Sequence, residues 1–132
     1  MLQTNSTYGQ FEDLFILLPV PIALLTYEVR DLIEKIIPNA IETPIPKENH
    51  ADYALPSGQR HDVFAYLCPT EKNLRLGFYY GDILPDPAGL LLPEGKRQRY
   101  LALTSPAEAH RSEVRALLLA AIQERRTTLG DR

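Results

Sequence analysis

The residues best able to do chemistry lie in and beside a segment rich in glycine and proline, Gly81 to Gly95. Lys96 and Arg99 follow this segment, and they could present an ammonium and a guanidinium group to an anion such as phosphate or carboxylate. In the structural alternative, Lys96 and Arg97 keep a loop in solvent while Arg99 pairs with a carboxylate. The residue types alone favour the structural alternative.

Asp82 and Asp86 flank a proline-containing turn in the same segment, and Glu94 follows them. Grouped carboxylates can bind a hard cation through oxygen. Their spacing matches no calcium loop, however, and aspartate beside glycine or proline is ordinary turn chemistry. We therefore predict turns here, with Asp82 or Asp86 as the partner of Arg99.

Tyr79 and Tyr80 end the strand that precedes the loop. Successive strand residues point to opposite faces, so one of the two tyrosines must face away from the core. An outward tyrosine beside basic residues is suited to a ligand pocket or a homodimer interface, and equally to covering the sheet edge.

The remaining reactive side chains form no catalytic or metal-binding motif. Cys68 lies at the end of an apolar strand, where it is expected to be a small buried hydrophobe. His50, His61 and His110 have no partner at helical spacing, which favours an exposed, structural role. One further set of acids is expected to form a solvated helix face, with a weak iron or magnesium site as the alternative: Glu28, Asp31 and Glu34.

Composition limits the class of protein. The 132 residues suit one domain, with 1–7 and 125–132 as flexible tails, and 45% are hydrophobic against 23% charged. The net charge of −3 gives no general attraction to nucleic acid or anionic membrane. One cysteine and no export signal predict a cytoplasmic location without disulfides.

Hydrophobic spacing predicts three helices. Apolar residues from Phe11 to Leu18 give a short helix that stops at Pro19, and a second stripe runs from Leu25 to Ile36. The third helix begins at Ser105, whose hydroxyl and the Glu108 carboxylate form a capping box.

The intervening segments predict four to six strands. The stretch 40–56 is extended, and its prolines predict that any strand there lies at a sheet edge or breaks off early. Val63 to Cys68 is apolar on both alternating sets, as in a central strand, and a hairpin connects it to a strand starting at Leu74. The prediction is an α+β fold with N-terminal helices and a C-terminal helix on one face of an antiparallel sheet.

The sequence resembles the YdhG-like domain-of-unknown-function family over most of its length. The loop residues that carry the resemblance are Leu76-Gly77-Phe78, Gly81, Leu84, Asp86-Pro87, Gly89-Leu90-Leu91, Gly95-Lys96, Arg99-Tyr100 and Ser105-Pro106. Its N-terminal part is matched by Leu18-Pro19, Arg30-Asp31-Leu32-Ile33 and Pro38-Asn39-Ala40-Ile41-Glu42. Where relatives carry a tryptophan and a Gly-Met-Pro turn, this chain has Thr43-Pro44-Ile45-Pro46. The resemblance implies a frataxin-like α+β sandwich, and one branch of the family is regarded as an intracellular iron chaperone.

Together these observations predict a non-enzymatic binding domain whose ligand site is the loop from residue 80 to residue 99. The expected contacts to a small anionic molecule or a protein partner are Tyr79, Tyr80, Asp82, Asp86, Lys96 and Arg99. An iron-binding chaperone, as the resemblance implies, and a purely structural or interaction role for the loop are the alternatives. No resident cofactor is expected, apart from the iron that the resemblance implies.

Overall fold

A computed structural model describes residues 1–59 and 61–130 and has an α+β architecture. Seven strands form one open sheet in the order β1-β2-β3-β4-β5-β7-β6, in which only β1 and β2 are parallel among the described pairs. The strands are Gln3–Thr4 (β1), Ile41–Ile45 (β2), His50–Ala54 (β3), Val63–Pro69 (β4), Leu74–Phe78 (β5), Leu92–Glu94 (β6) and Gln98–Leu103 (β7). Two α-helices, Val20–Ile36 (α1) and Ser112–Thr128 (α2), complete the fold. Within the described residues, no helix is long and apolar enough to cross a membrane.

Helix α1 starts earlier than its apolar stripe predicts. Pro19 caps it in an extended conformation and Pro21 lies in its first turn, where a missing N–H costs no hydrogen bond. Pro19, at which the preceding helix was predicted to stop, therefore lies at the start of α1. Before them, the predicted helix from Phe11 to Leu18 is only a 3-10 helix, Phe11–Phe15, the usual form for so short a run.

The closing helix begins in two steps. The predicted capping box is present, because the Ser105 amide donates to Glu108 Oε1 over 3.1 Å, but it starts a 3-10 helix, Pro106–His110. Arg111 is then extended, and α2 follows. Helix α2 continues to Thr128, past the point where a flexible tail was expected, because the Arg125 side chain is buried. Residues 131–132 of that expected tail lie outside the described residues.

The other expected tail also contains structure. Gln3–Thr4 forms β1, which is fixed by hydrogen bonds from the Gln3 amide to the Ala40 carbonyl (3.0 Å) and from the Asn5 amide to the Glu42 carbonyl (2.7 Å). The sheet exceeds the expected strand number because β1 and β6 have two and three residues. An alternating pattern cannot be recognised over so short a stretch.

The two faces of the sheet have different surroundings. Alternate strand residues and the apolar stripes of both helices form one core, in which Tyr53, Leu67, Leu76 and Phe78 are among the buried sheet residues. The opposite face, which we call the open face, carries the intervening residues. They include Thr43, Asp52, Tyr66, Arg75, Gly77 and Tyr100, as the strand registers require. A central β4 was predicted correctly, although Val63 and Cys68 at its ends are only half-buried.

On the core side, a buried carboxylate joins β1, β2, β3 and α1. Glu42 is fully buried and accepts two 2.7 Å hydrogen bonds from Arg30, one of 2.7 Å from the Tyr53 hydroxyl and a longer one from Thr4. Burial, with the Glu42 charge, raises the pKa of Tyr53 well above its usual value. We call Thr4, Arg30, Glu42 and Tyr53 the Glu42 cluster.

Candidate functional site

Asp82 and Asp86 bind other residues of the 80–99 loop. Both carboxylate oxygens of Asp86 accept backbone amides, from Leu90 and Leu91, each over 2.9 Å. Asp82 lies 3.4 Å from the Arg97 guanidinium, and its amide donates to the Arg97 carbonyl over 2.9 Å. The Asp86 side chain has the predicted role in a turn, whereas the Asp82 side chain forms an ion pair. The predicted pairing of Arg99 with one of them is wrong, because Arg97 takes Asp82 and the backbone takes Asp86.

The two basic residues predicted to bind an anion do not present a shared site. Arg99 Nη1 donates to the Gln98 carbonyl over 2.7 Å and to the Lys96 carbonyl over 3.4 Å, so its guanidinium is turned towards the backbone. The stem of Arg99 also packs closely on Gly81, where an added Cβ would come within 2.5 Å of the Arg99 Cβ. Lys96 is exposed, and no described residue forms a hydrogen bond or ion pair with its side chain.

Tyr79 and Tyr80 do not end the strand as predicted, because β5 stops at Phe78 and both tyrosines lie in the turn that follows. Their side chains nevertheless point to different parts of the molecule. Tyr80 packs beneath the guanidinium of Arg125, 3.6 Å from the ring centroid, and beside that of Arg97 at 5.0 Å. Arg125 is itself held by two 2.6 Å hydrogen bonds to Glu124. Tyr79 faces the open face instead, so the six predicted contact residues do not form one site.

Tyr79 belongs to a polar network on the open face. Its hydroxyl donates to Asp52 Oδ1 over 2.8 Å, and His50 Nε2 lies 3.3 Å from the same oxygen. The other ring nitrogen, Nδ1, lies 3.4 Å from the Glu48 carbonyl. Each ring nitrogen of His50 thus lies beside an acceptor, an arrangement that favours the protonated ring. The hydrogen bond to Asp52 accordingly raises the pKa of His50, whereas burial and the Asp52 charge raise the pKa of Tyr79.

Tyr66 supports this network from beside it. Its ring lies 4.9 Å from the Tyr79 ring and 6.1 Å from that of His50, measured between centroids. The ring lies directly over Gly77, because an added Cβ at Gly77 would come within 1.9 Å of Tyr66 Cζ. Burial and the nearby Glu94 charge raise the pKa of Tyr66 to about 12. We call His50, Asp52, Tyr66 and Tyr79 the Asp52 cluster.

A trough runs along the open face beside the Asp52 cluster. It encloses about 840 Å³, within the range of ligand pockets. Its floor consists of outward side chains of β2, β3 and β4, and its rim comes from the N-terminal segment and the connecting loops. The lining residues are Tyr8, Ile41, Thr43, Ile45, Lys47, Glu48, Asp52, Ala54, Asp62 and Val63. A second cavity of about 310 Å³ shares Asp52 and Val63 with it and extends to His61, Tyr79 and Tyr80.

Asp52 lies where these two cavities meet, and only one of its oxygens is used. Both contacts, from Tyr79 and His50, go to Oδ1, and no described residue donates to Oδ2. The Asp52 side chain is 20% exposed. The site can therefore offer one fixed, negatively charged acceptor above an apolar floor.

Elsewhere the reactive side chains have structural surroundings. Cys68 is half-buried on the open face rather than in the core, and burial raises the pKa of its thiol. His110 pairs with Glu28 at 3.0 Å, and His61 has a left-handed backbone with φ of 62°. Among the described residues, no group of three or more histidine, cysteine, aspartate or glutamate side chains could hold a metal ion.

The sequence contained a signal for the Asp52 cluster that helical spacing does not reveal. His50 and Asp52 are two residues apart, which places both on one face of a strand. The three- and four-residue spacing of helices cannot detect such a pair. The strand interval, applied to the stretch 40–56, would have paired His50 with Asp52.

Comparison with protein-family models, with curated proteins and with solved structures found no match for this chain. Membership of the YdhG-like family and a frataxin-like sandwich stay predictions from motifs, as does the iron-binding role that the resemblance implies.

Proposed function

We propose that this protein is a non-enzymatic binding domain whose ligand occupies the trough on the open face. The observation that carries the proposal is the cavity of about 840 Å³ itself, with an apolar floor and a carboxylate fixed at its end. Few, well-placed polar groups over an apolar lining are typical of small-molecule sites. The proposal thus keeps the predicted function and moves its main surface from the 80–99 loop to the trough.

The states of His50 and Tyr79 suit recognition. A general base needs a free lone pair within reach of a substrate proton, and neither of these two side chains offers one. Both nitrogens of His50 face acceptors, and the raised pKa of Tyr79 keeps its phenol protonated and donating to Asp52. Asp52 is held in one orientation, and its Oδ2 is left to contact a ligand. The Asp52 cluster therefore has the features of a fixed recognition element.

The 80–99 loop supports a second proposal, an anionic ligand or protein partner near Lys96. The exposed ammonium of Lys96, with Arg97 half-exposed beside it, favours this alternative. The internal use of Asp82, Asp86 and Arg99 favours a structural role for most of the loop. A cytoplasmic location and a homodimer stay proposals of the same kind.

A fragment screen by ¹H–¹⁵N NMR would separate the two surfaces. We expect fragments bound at millimolar concentration to shift the amide signals of Ile41, Thr43 and Val63. Ala54→Leu, which places a larger side chain on the trough floor, should abolish these shifts. Ala102→Leu is the matched control, since Ala102 lies on the open face outside the trough lining.

Two results would contradict the proposal: a library of mixed charge with no binder, or signal shifts confined to residues 80–99. Circular dichroism and melting temperature must show that both leucine variants are folded. If Ala54→Leu and Ala102→Leu weaken fragment binding equally, the trough is not the site.

A further inference from the structure

We infer that the trough selects an organic cation with an apolar body, such as an aryl-alkyl ammonium or amidinium compound. This inference depends on the proposed function, because it names the ligand class of the same site. It differs from the anionic ligand predicted for the 80–99 loop. Three features of the trough support it: the Asp52 oxygen to which no described residue donates, the charges of the described lining residues and the apolar floor.

The first feature is the fixed geometry of Asp52. Tyr79 and His50 both bind Oδ1, so the carboxylate has one orientation while Oδ2 stays free of described donors. Charge-assisted hydrogen bonds to a carboxylate are stronger than neutral ones. A ligand that brings an N–H donor with positive charge gains this bond without having to order the acceptor first.

The second feature is the sign of the surrounding charges. Among the described lining residues, three are acidic, Glu48, Asp52 and Asp62, against one lysine, Lys47. The His50 ring adjoins Asp52, and both of its nitrogens point to acceptors inside the protein. An anion placed at Asp52 Oδ2 would be repelled and would leave that oxygen without a donor, whereas a cation would be attracted.

The third feature is the shape of the rest of the trough. Ile41, Ile45, Ala54 and Val63 supply an apolar lining, and Tyr8 on the rim is 63% exposed. Apolar surface favours a hydrocarbon body, and the face of an exposed tyrosine attracts a cation rather than an anion. The combination excludes a bare metal ion as the best ligand and favours an amphipathic organic one.

Three probes of equal size test the charge preference: phenethylammonium, 2-phenylethanol and phenylacetate. We expect NMR titration to show phenethylammonium binding at least ten times more tightly than phenylacetate, with its affinity falling as salt is added. Asp52→Asn keeps the shape and an acceptor for Tyr79, and should weaken phenethylammonium at least tenfold while leaving 2-phenylethanol unchanged. Asp82→Asn, the matched change in the 80–99 loop, should alter neither affinity.

The outcomes distinguish the inference from the function on which it depends. Equal binding of the three probes in the trough, or preference for phenylacetate, would overturn the cation inference and leave a binding domain. An unchanged phenethylammonium affinity in Asp52→Asn would also overturn it. If no probe and no other fragment binds the trough, the proposed function fails together with the inference.

Discussion

The Glu42 cluster and the Asp52 cluster have the same parts on opposite faces of one sheet. In each, a carboxylate accepts a tyrosine hydroxyl, at 2.7 Å for Glu42 and 2.8 Å for Asp52, and contacts a basic side chain, Arg30 or His50. Glu42 is fully buried and each of its oxygens accepts two hydrogen bonds. Asp52 is 20% exposed, and the described residues contact only one of its oxygens.

The number of occupied carboxylate oxygens distinguishes a structural polar group from one that can bind a ligand. A buried carboxylate whose two oxygens both accept hydrogen bonds from the protein cannot accept one from a ligand. The free-energy cost of burying its charge is offset only when this network is complete. A carboxylate that is held by two donors and still has a free oxygen is oriented for a further partner. The face of the sheet on which a carboxylate lies decides which case applies. Glu42 lies on the face that the helices cover, whereas Asp52 lies on the open face.

The largest expected effect is that of removing the charge of Glu42. Glu42→Gln leaves the partly buried Arg30 without its counter-ion and turns an amide group towards donors, so we expect a loss of about 2–4 kcal/mol in the free energy of unfolding. Urea denaturation measures it. Glu71→Gln, in the exposed hairpin loop, is the control and should change stability by less than about 0.5 kcal/mol. Equal stability of the two variants would mean that the Glu42 cluster is dispensable.

The same substitution in both clusters makes the comparison direct. Tyr53→Phe leaves a buried carboxylate oxygen short of a hydrogen bond and should cost about 1–3 kcal/mol. Tyr79→Phe should cost about 0.5–1 kcal/mol, because water can replace the phenol at the partly exposed Asp52. The midpoints of urea denaturation give the order. A larger loss for Tyr79→Phe would show that the Asp52 cluster is the structural one.

The smallest effect is a dependence of stability on pH that arises from His50. Its pKa is raised in the folded state by the hydrogen bond to Asp52. This contribution is fully present below the unfolded pKa of about 6.5 and is lost as pH rises through the folded pKa. Between pH 6 and pH 9 we expect the free energy of unfolding to fall more for wild-type protein than for His50→Gln, by less than the loss caused by Tyr79→Phe. Parallel stability curves for the two proteins, with His61 and His110 present in both, would contradict the assignment.

Much of the fold could be predicted because long periodic segments carry their own signal. The stripe of α2 and the central β4 followed from spacing. The edge position predicted from proline for strands in 40–56 is wrong for β3, which pairs with both β2 and β4. It is wrong for β2 as well, because β1 pairs with β2 at Ile41 and Glu42. The short elements could not be predicted in this way. Two residues such as Gln3–Thr4 become a strand only because the folded edge of β2 offers them hydrogen bonds.

Less of the candidate site could be predicted, for a different reason. The 80–99 loop can be recognised in the sequence because its charged and aromatic residues are close together along the chain. The trough joins side chains from the N-terminal segment, β2, β3 and the β3–β4 loop, which only folding brings together. Of the six residues predicted to bind ligand, Tyr79 and Tyr80 border the second cavity, and the other four belong to the loop.

The position of Pro44 has a consequence for self-association. Strand β1 covers β2 only at Ile41 and Glu42, so from Thr43 onward the side of β2 that faces away from β3 has no neighbouring strand among the described residues. The Ala40 and Glu42 carbonyls point towards β1, and by the two-residue repeat Pro44 points the same way. An N–H group at this position would point away from β3, so its absence removes no hydrogen bond to β3. It also removes one of the backbone donors that an added strand would need on the uncovered side of β2. The uncovered edge is in this way a poor template for amyloid-like stacking.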